Sequence, residues 1–315
     1  MKAIVLTKPG GIEHLQLQEI DKPTPQKNEV LVRVHAISVN PVDAKTREGK
    51  SLYDKLKEEP PIILGWDISG VVEAIGEDVT YFKEGDEVFG MVNFPGHGKA
   101  YAEYVAAPET HLAHKPANIP HHEAAAATLA ALTAWQVLVH EAGIKAGQRV
   151  LIHAAAGGVG HFATQIAKYF KATVIGTASP ENHDFIRNMG ADEQIDYHQY
   201  NVEDIAMDVD IVLDSLGEEN TRRSLATLKE GGKIISILGG AKEAVQEEAK
   251  KRNIEAKNYL VHSSGEDQEQ IAQLMQQGHL RPHVSHMFEF EDMGKAHEQV
   301  ETRKTKGKVV VNAIP

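Results

Sequence analysis

The chain has 315 residues, 42% hydrophobic and 25% charged, which is ordinary for a globular protein of one large domain or two medium ones. Its net charge of −12 argues against nucleic acid or an anionic membrane as the main partner. It contains no cysteine, which excludes disulfides and thiolate metal sites. The start of the sequence does not resemble a signal peptide and no apolar run reaches the length of a membrane span, so we expect a cytoplasmic protein.

The first 120 residues are typical of short strands separated by Pro and Gly turns, which predicts a β-rich, barrel-like unit. The predicted strands are Ala3–Leu6, Val30–Val34, Ile68–Ala74, Asp86–Val92 and Ala102–Ala106. A weak helix is expected at Ser51–Glu58, and an alanine-rich one at His122–Leu138.

From Val150 onward, strands alternate with helices, which predicts βαβ units with a parallel sheet. The predicted strands are Val150–Ile152, Thr173–Thr177, Val209–Asp214, Lys233–Leu238 and one near Tyr259–Ser263. The tail from Phe288 to Val311 indicates strand, helix, strand, and its last strand could rejoin the first domain.

The stretch Arg149–Lys168 combines an apolar strand, a turn of small residues and an apolar pattern with helical spacing. Glycines in such a turn let the backbone approach a pyrophosphate at the amino end of the helix. Ala155 takes the first glycine position, Gly157 the second and Gly160 the third. The predicted cofactor contacts in this turn are Ala156, Gly157, Gly158, Val159 and Gly160, although a tight turn in any α/β domain would use similar residues.

The order of motifs along nearly the whole chain resembles the medium-chain dehydrogenase/reductase superfamily, and within it the zinc-free quinone oxidoreductase (zeta-crystallin-like) group. The motifs that carry the resemblance are Val39–Asp43, Leu64–Val72, Gly85–Val88, Tyr101–Tyr104, Leu132–Ala134, Ala154–Gly160, Gly190–Asp192, Ile195–Tyr197 and Gly307–Val310. It implies an α/β protein in which a GroES-like β-barrel catalytic domain (1–122 and 264–315) is interrupted by a Rossmann NADP(H)-binding domain (123–263). It also implies that nicotinamide lies in the cleft between the domains, and that the protein is a homodimer.

No metal is expected, because zinc relatives carry Cys and His where this chain has Asn40 and Trp66, and neither side chain is a zinc ligand. His153 and His161 flank the glycine turn, and a packed role is favoured over cofactor contact for both.

NADPH is the expected cofactor, because the position where NAD binders place an acidic residue falls at Ala178 and Ser179. Further 2′-phosphate contacts are predicted at His183, Arg187 and Tyr197. Pro180 and Glu181 replace a lysine of some relatives, which weakens this prediction. The resemblance places Asn40 and Thr133 near the nicotinamide, and strand ends should supply Ser215, Leu216, Leu238, Gly239 and Gly240.

Without a metal to polarise a carbonyl, hydride should go to an electron-poor acceptor, so we predict an NADPH:quinone or α,β-unsaturated carbonyl (enone, alkenal) reductase. The candidate catalytic residues are Asn40, Lys45 and Tyr53, although a solvated lysine at position 45 and a packed aromatic at position 53 are the favoured interpretations. An enoyl thioester reductase and a non-catalytic NADPH-binding sensor or structural protein remain as alternatives.

Overall fold

The structure is a computed structural model that describes residues Met1–Ala313. Two compact units divide the chain: residues Met1–Leu132 together with those from His262 onward, and residues Thr133–Val261. The first unit thus includes residues 123–132 and 262–263, which the sequence-based division assigned to the Rossmann domain.

The strands, in chain order, are β1 (Lys2–Leu6), β2 (Leu15–Glu19), β3 (Glu29–Val39), β4 (Asp67–Ile75), β5 (Glu87–Met91), β6 (Tyr104–Pro108), β7 (Leu112–His114), β8 (Arg149–Ile152), β9 (Thr173–Ala178), β10 (Glu193–Asp196), β11 (Val209–Asp214), β12 (Leu228–Ser236), β13 (Glu255–Asn258), β14 (Val284–Glu289) and β15 (Lys308–Asn312).

The α-helices are α1 (Pro41–Arg47), α2 (Tyr53–Leu56), α3 (His121–Ala126), α4 (Leu129–Trp135), α5 (Gly158–Tyr169), α6 (His183–Asn188), α7 (Val202–Ile205), α8 (Glu218–Ser224), α9 (Glu243–Lys251), α10 (Gly265–Gln276) and α11 (Met293–Glu301). No helix within residues 1–313 has both the length and the apolar character needed to cross a bilayer.

The first unit is built on a mainly antiparallel, seven-stranded sheet. The order is β14-β15-β3-β4-β5-β7, with β6 also paired to β3, and β1 pairs with β2. The long central strand β3 alternates apolar residues such as Val30, Val32 and Val34, which are fully buried. The last strand, β15, pairs with β3 through Val309 opposite Val39, so the predicted return of the tail to the first unit is confirmed.

The second unit is a six-stranded parallel sheet in the order β10-β9-β8-β11-β12-β13. This is the Rossmann order, in which the chain leaves the first strand in one direction and then returns to its other side. The central strands are buried apolar runs, with Leu151 opposite Ile175 and Val212 opposite Ile234. Helix α5 packs its buried Phe162 and Ile166 in this core, as its apolar spacing predicted.

Two predicted elements differ from the structure. The strand expected near Tyr259–Ser263 is wrong: the sixth strand is β13, Glu255–Asn258. As an edge strand it is largely exposed and polar, so it lacks the apolar run by which the other strands were found.

The predicted helix His122–Leu138 is also divided, into α3 and α4, followed by a π-helix at Gln136–Glu141. At the break, the Leu129 N–H donates over 3.0 Å to Oδ1 of Asp67. A side chain distant in the sequence therefore takes up a donor at the start of the second helix.

Candidate active site

The glycine turn that follows β8 is held against the end of the neighbouring strand β9. The Ala155 N–H donates to the Thr177 carbonyl over 2.9 Å, and the Ala154 N–H donates to the Thr177 hydroxyl over 3.1 Å. A Cβ added to Gly160 would lie 2.3 Å from the Ala154 carbonyl oxygen. Position 160 therefore requires glycine for close packing of helix against turn.

The amino end of α5 fits a dinucleotide pyrophosphate. Its N-cap, Gly157, has extended backbone (φ −80°, ψ −176°) and supplies no side-chain hydrogen bond to the first turn. The first N–H groups of a helix have no partner within the helix and carry partial positive charge. A twelve-residue helix that begins at a glycine turn is thus suited to receive an anion.

His153 and His161, beside this turn, are both buried. His153 Nε2 lies 2.8 Å from the Ser224 hydroxyl, and burial lowers the pKa of His153 to about 4. His161 Nδ1 lies 3.0 Å from the Gly157 carbonyl oxygen. Both rings are therefore packed within the second unit.

The segment after β9 holds the residues predicted for the adenosine end. The hydroxyl of Ser179, itself buried, donates to Oε1 of Glu181 over 2.6 Å. Nδ2 of Asn182 donates to the same hydroxyl oxygen over 3.0 Å. His183 Nε2 lies 3.3 Å from the Ala178 carbonyl oxygen. The sequence did not predict that Ser179 is bonded to a carboxylate.

Two other predicted residues at this end are exposed. Arg187 donates to Asp184 over 2.7 Å and to Oε1 of Gln194 over 3.1 Å. Tyr197 is 52% exposed, and its ring centroid lies 4.3 Å from that of His198. The structure joins neither to Ser179 by a hydrogen bond within the described chain.

The loops after β11 and β12 lie together at the carboxyl edge of the sheet. Buried Asp214 accepts from the Ser236 hydroxyl over 2.8 Å and from the Gly217 N–H over 3.2 Å. A Cβ on Gly240 would lie 2.0 Å from the Thr221 hydroxyl oxygen. The predicted residues Ser215, Leu216, Leu238, Gly239 and Gly240 are therefore brought to one edge, and Leu216 and Leu238 are about half exposed. Thr133 lies in α4 and is buried.

In the first unit, Asn40 lies at the junction of β3 and α1 and is 2% exposed. Its Nδ2 donates to Oδ2 of Asp67 over 2.7 Å, and its Oδ1 accepts from the ammonium of Lys308. Its backbone N–H donates to Oδ2 of Asp43 over 2.5 Å. The carboxamide is therefore fixed in one orientation by two charged side chains.

All the ionisable groups around Asn40 are buried. Lys308 is 3% exposed, Asp67 and Asp43 are inaccessible, and Nζ of Lys308 lies 3.9 Å from Oδ2 of Asp67. Burial lowers the pKa of Lys308 and raises that of Asp67, and it raises the pKa of Asp43 to about 8. Sequence reasoning missed Lys308 as a partner of Asn40. The signal that could have identified it is a lysine placed directly before a run of buried valines.

Lys45 and Tyr53 stand apart from this cluster. Lys45 is an exposed residue of α1, and Tyr53 is a partly exposed residue at the start of α2. Among the described residues, no hydrogen bond connects either side chain to Asn40. The catalytic roles predicted for Lys45 and Tyr53 therefore remain predictions.

Trp66, which stands where zinc relatives have histidine, is fully buried, and its Nε1 donates to the Gly96 carbonyl over 2.7 Å. Phe94 packs edge-on against it, with ring centroids 5.3 Å apart. Over residues 1–313, no three His, Asp or Glu side chains are grouped in a way that could hold a metal ion.

Comparison with known proteins matches both units. Residues 26–117 match the alcohol dehydrogenase GroES-like domain, and residues 189–311 match the family described as zinc-binding dehydrogenase. The chain is 35% identical to the chloroplastic NADPH-dependent alkenal/one oxidoreductase of Arabidopsis thaliana, covering 100% of this chain and 80% of that protein. It is 34% identical to quinone oxidoreductase of Sus scrofa, covering 99% and 97%.

Among solved structures, the quinone oxidoreductase from Coxiella burnetii superposes with a TM-score of 0.93 at 38% identity, over 99% of both chains. The chain belongs to the medium-chain dehydrogenase/reductase superfamily, in its quinone oxidoreductase group. The resemblance found in the sequence motifs, and the GroES-like and Rossmann fold that it implied, are confirmed.

Proposed function

We propose that this protein is an NADPH-dependent reductase that transfers hydride to a quinone or to an α,β-unsaturated carbonyl compound. The observation that carries the proposal is the glycine turn at the uncapped amino end of α5, held against the end of β9. The printed names of the relatives, a quinone oxidoreductase and an NADPH-dependent alkenal/one oxidoreductase, support the same reaction.

NADPH would supply the hydride, and the second unit has the groups to hold it. The backbone of Ala156, Gly157, Gly158, Val159 and Gly160 would receive the pyrophosphate. The loop residues Ser215, Leu216, Leu238, Gly239 and Gly240, with Thr133, would surround the nicotinamide half. Ser179, His183, Arg187 and Tyr197 would lie toward the adenosine half.

Asn40, Lys45 and Tyr53 are the proposed catalytic residues. The carboxamide of Asn40 is held by Lys308 and Asp67, so any group it presents to a ligand is fixed before the ligand binds. Lys45 or Tyr53 would stabilise negative charge that develops on the acceptor oxygen. The acceptor needs no metal, because a quinone or enone is already electron-poor.

A homodimer in the cytoplasm is the proposed state, on the basis of the family resemblance and the composition. Sedimentation equilibrium of the purified protein would test the dimer, and a monomer across the micromolar range would contradict it.

Oxidation of NADPH with a panel of acceptors tests the function. We expect turnover with a para-quinone, an ortho-quinone, an alkenal and a cyclic enone, and none with a simple ketone. Turnover with an enoyl thioester alone would favour the thioester reductase, and tight NADPH binding without turnover would favour the sensor. Stoichiometric zinc in the purified protein, measured by elemental analysis, would contradict a zinc-independent reaction.

A further inference from the structure

The segment that follows β9 presents a carboxylate beside the serine predicted to favour NADPH. Ser179 donates its hydroxyl hydrogen to Oε1 of Glu181 over 2.6 Å, and Glu181 is exposed. Because a hydroxyl has a single hydrogen, this bond uses the only donor that the Ser179 side chain can offer. In this arrangement Ser179 presents an oxygen that is already bonded, next to a negative charge.

This segment lies where the ribose of the adenosine half would be. Thr177, two residues before Ser179, accepts from Ala155 of the glycine turn over 2.9 Å. In Rossmann domains, the end of the strand beside the glycine turn carries the group that contacts the ribose 2′-position, and a carboxylate there accepts from the 2′-hydroxyl. Glu181 therefore carries the group that can accept a hydrogen bond from the 2′-hydroxyl of NADH.

Of the basic residues that follow, His183 has its Nε2 3.3 Å from the Ala178 carbonyl oxygen, and Arg187 is already paired. Arg187 donates to Asp184 over 2.7 Å and to Gln194 over 3.1 Å, and Asp184 adds a second acidic side chain to the segment. A 2′-phosphate would have to compete with the Asp184 carboxylate for this guanidinium. A bound 2′-phosphate would also lie beside the Glu181 carboxylate, and like charges repel.

We propose that Glu181 is a specificity-determining residue that restrains the preference for NADPH and allows the protein to use NADH as well. The inference rests on the proposed function, because it concerns the cofactor that supplies the hydride. Glu181 sets the ratio between the affinities for NADPH and NADH.

Calorimetric titration of NADP⁺ and NAD⁺ into the wild-type protein and the Glu181→Gln variant tests this directly, without any acceptor present. Removal of the negative charge should tighten NADP⁺ binding about fivefold. Loss of the charged acceptor should weaken NAD⁺ binding about threefold. The ratio of the two dissociation constants should therefore move toward NADP⁺ by about tenfold or more, and Glu181→Lys should move it further in the same direction.

Glu247→Gln is the matched control, because it removes the same charge from an exposed position on α9, which follows β12, three strands from β9 in the sheet. It should leave both dissociation constants unchanged. An unchanged ratio in Glu181→Gln, or an equal shift in Glu247→Gln, would overturn the assignment of Glu181 while the reductase function stood. A wild-type protein that binds neither nucleotide would contradict the proposed function itself, and with it the inference.

Discussion

Asn40 Nδ2 donates to Oδ2 of Asp67 over 2.7 Å, while the Lys308 ammonium bonds to the other end of the same carboxamide. The three side chains come from the end of β3, the start of β4 and the start of β15, which are adjacent strands of one sheet. They place one positive and one negative charge in the interior of the first unit, bridged by a neutral amide. The two charged side chains hold the amide in one orientation, and their opposite charges balance each other.

Replacement of Lys308 by Met should strongly destabilise the protein. The change leaves the carboxylate of Asp67 buried without its counter-charge, and loss of one partner of a buried pair typically costs about 3–5 kcal/mol. Urea unfolding monitored by circular dichroism would measure the loss of folding free energy. Lys304→Met, at an exposed position, should change stability by less than about 0.5 kcal/mol.

The double variant Lys308→Met with Asp67→Asn tests the reason for that loss. With both charges removed, it should recover part of the stability lost in Lys308→Met alone. If the double variant is as unstable as the sum of the two single variants, the charges do not compensate each other.

Asn40→Ala should lower kcat for quinone reduction and leave NADPH affinity nearly unchanged. The Nδ2 hydrogen that does not go to Asp67 makes only a 3.5 Å contact with the Ser38 carbonyl oxygen, and loss of such a donor to a reacting oxygen typically costs about 10²–10³-fold in kcat. Steady-state kinetics would measure kcat, and calorimetry would measure the NADPH dissociation constant. Because Asn40 also bridges Lys308 and Asp67, the folded fraction of the variant must be checked under the assay conditions.

Lys45→Met and Tyr53→Phe should lower kcat in the same way, if either side chain stabilises charge on the acceptor. Lys50→Met is a suitable control, because it removes an exposed lysine from the segment between them. Wild-type rates in Asn40→Ala, Lys45→Met and Tyr53→Phe together would mean that proximity alone accounts for catalysis and that water supplies the proton.

The raised pKa of Asp43 should make the protein less stable as the pH rises. Burial raises its pKa to about 8, whereas an unfolded aspartate has a pKa of about 3.9. The folded state thus keeps a proton that the unfolded state releases. The stabilisation is complete below about pH 4 and is lost as the pH rises to about 8, by up to about 1.4 kcal/mol per pH unit.

Unfolding of the wild-type protein and Asp43→Asn between about pH 5 and 7 would isolate this contribution. The free energy of unfolding of the wild-type protein should fall relative to that of the variant as the pH increases. Asp78→Asn, at an exposed position of the same unit, serves as control. Parallel curves for wild type and Asp43→Asn would show that Asp43 is ionised in the folded protein.

Gly160→Ala should destabilise the second unit and weaken binding of NADP⁺. Its Cβ would lie 2.3 Å from the Ala154 carbonyl oxygen and 2.7 Å from Cα of Ala155, so the turn must shift. Overpacking of this kind typically costs about 1–3 kcal/mol. Gly157→Ala should cost less stability, because its Cβ would approach the same oxygen only to 3.2 Å. Equal urea midpoints for the two variants would contradict the close contact at position 160.

The sequence by itself determined the elements that depend on local patterns. The apolar run before the turn, the glycines at 157 and 160 and the helical spacing after them predicted β8 and α5, because strand and helix periodicity are properties of adjacent residues. At positions 40 and 66, where the resemblance places zinc ligands in relatives, Asn and Trp predict a site without zinc, and this stays a prediction. The edge strand β13 was missed, since an exposed strand needs no apolar pattern.

Only the tertiary structure decided which side chains meet. Lys308 and Asn40 are 268 residues apart, and they bond because β15 returns to pair with β3 in a particular register. Ser179 and Glu181 are close in sequence, yet the bond between them depends on the turn that begins at Pro180. Side-chain chemistry can be read from the chain, but the partner of each buried polar group is set by strand register and local backbone geometry, which a pattern of residues does not encode.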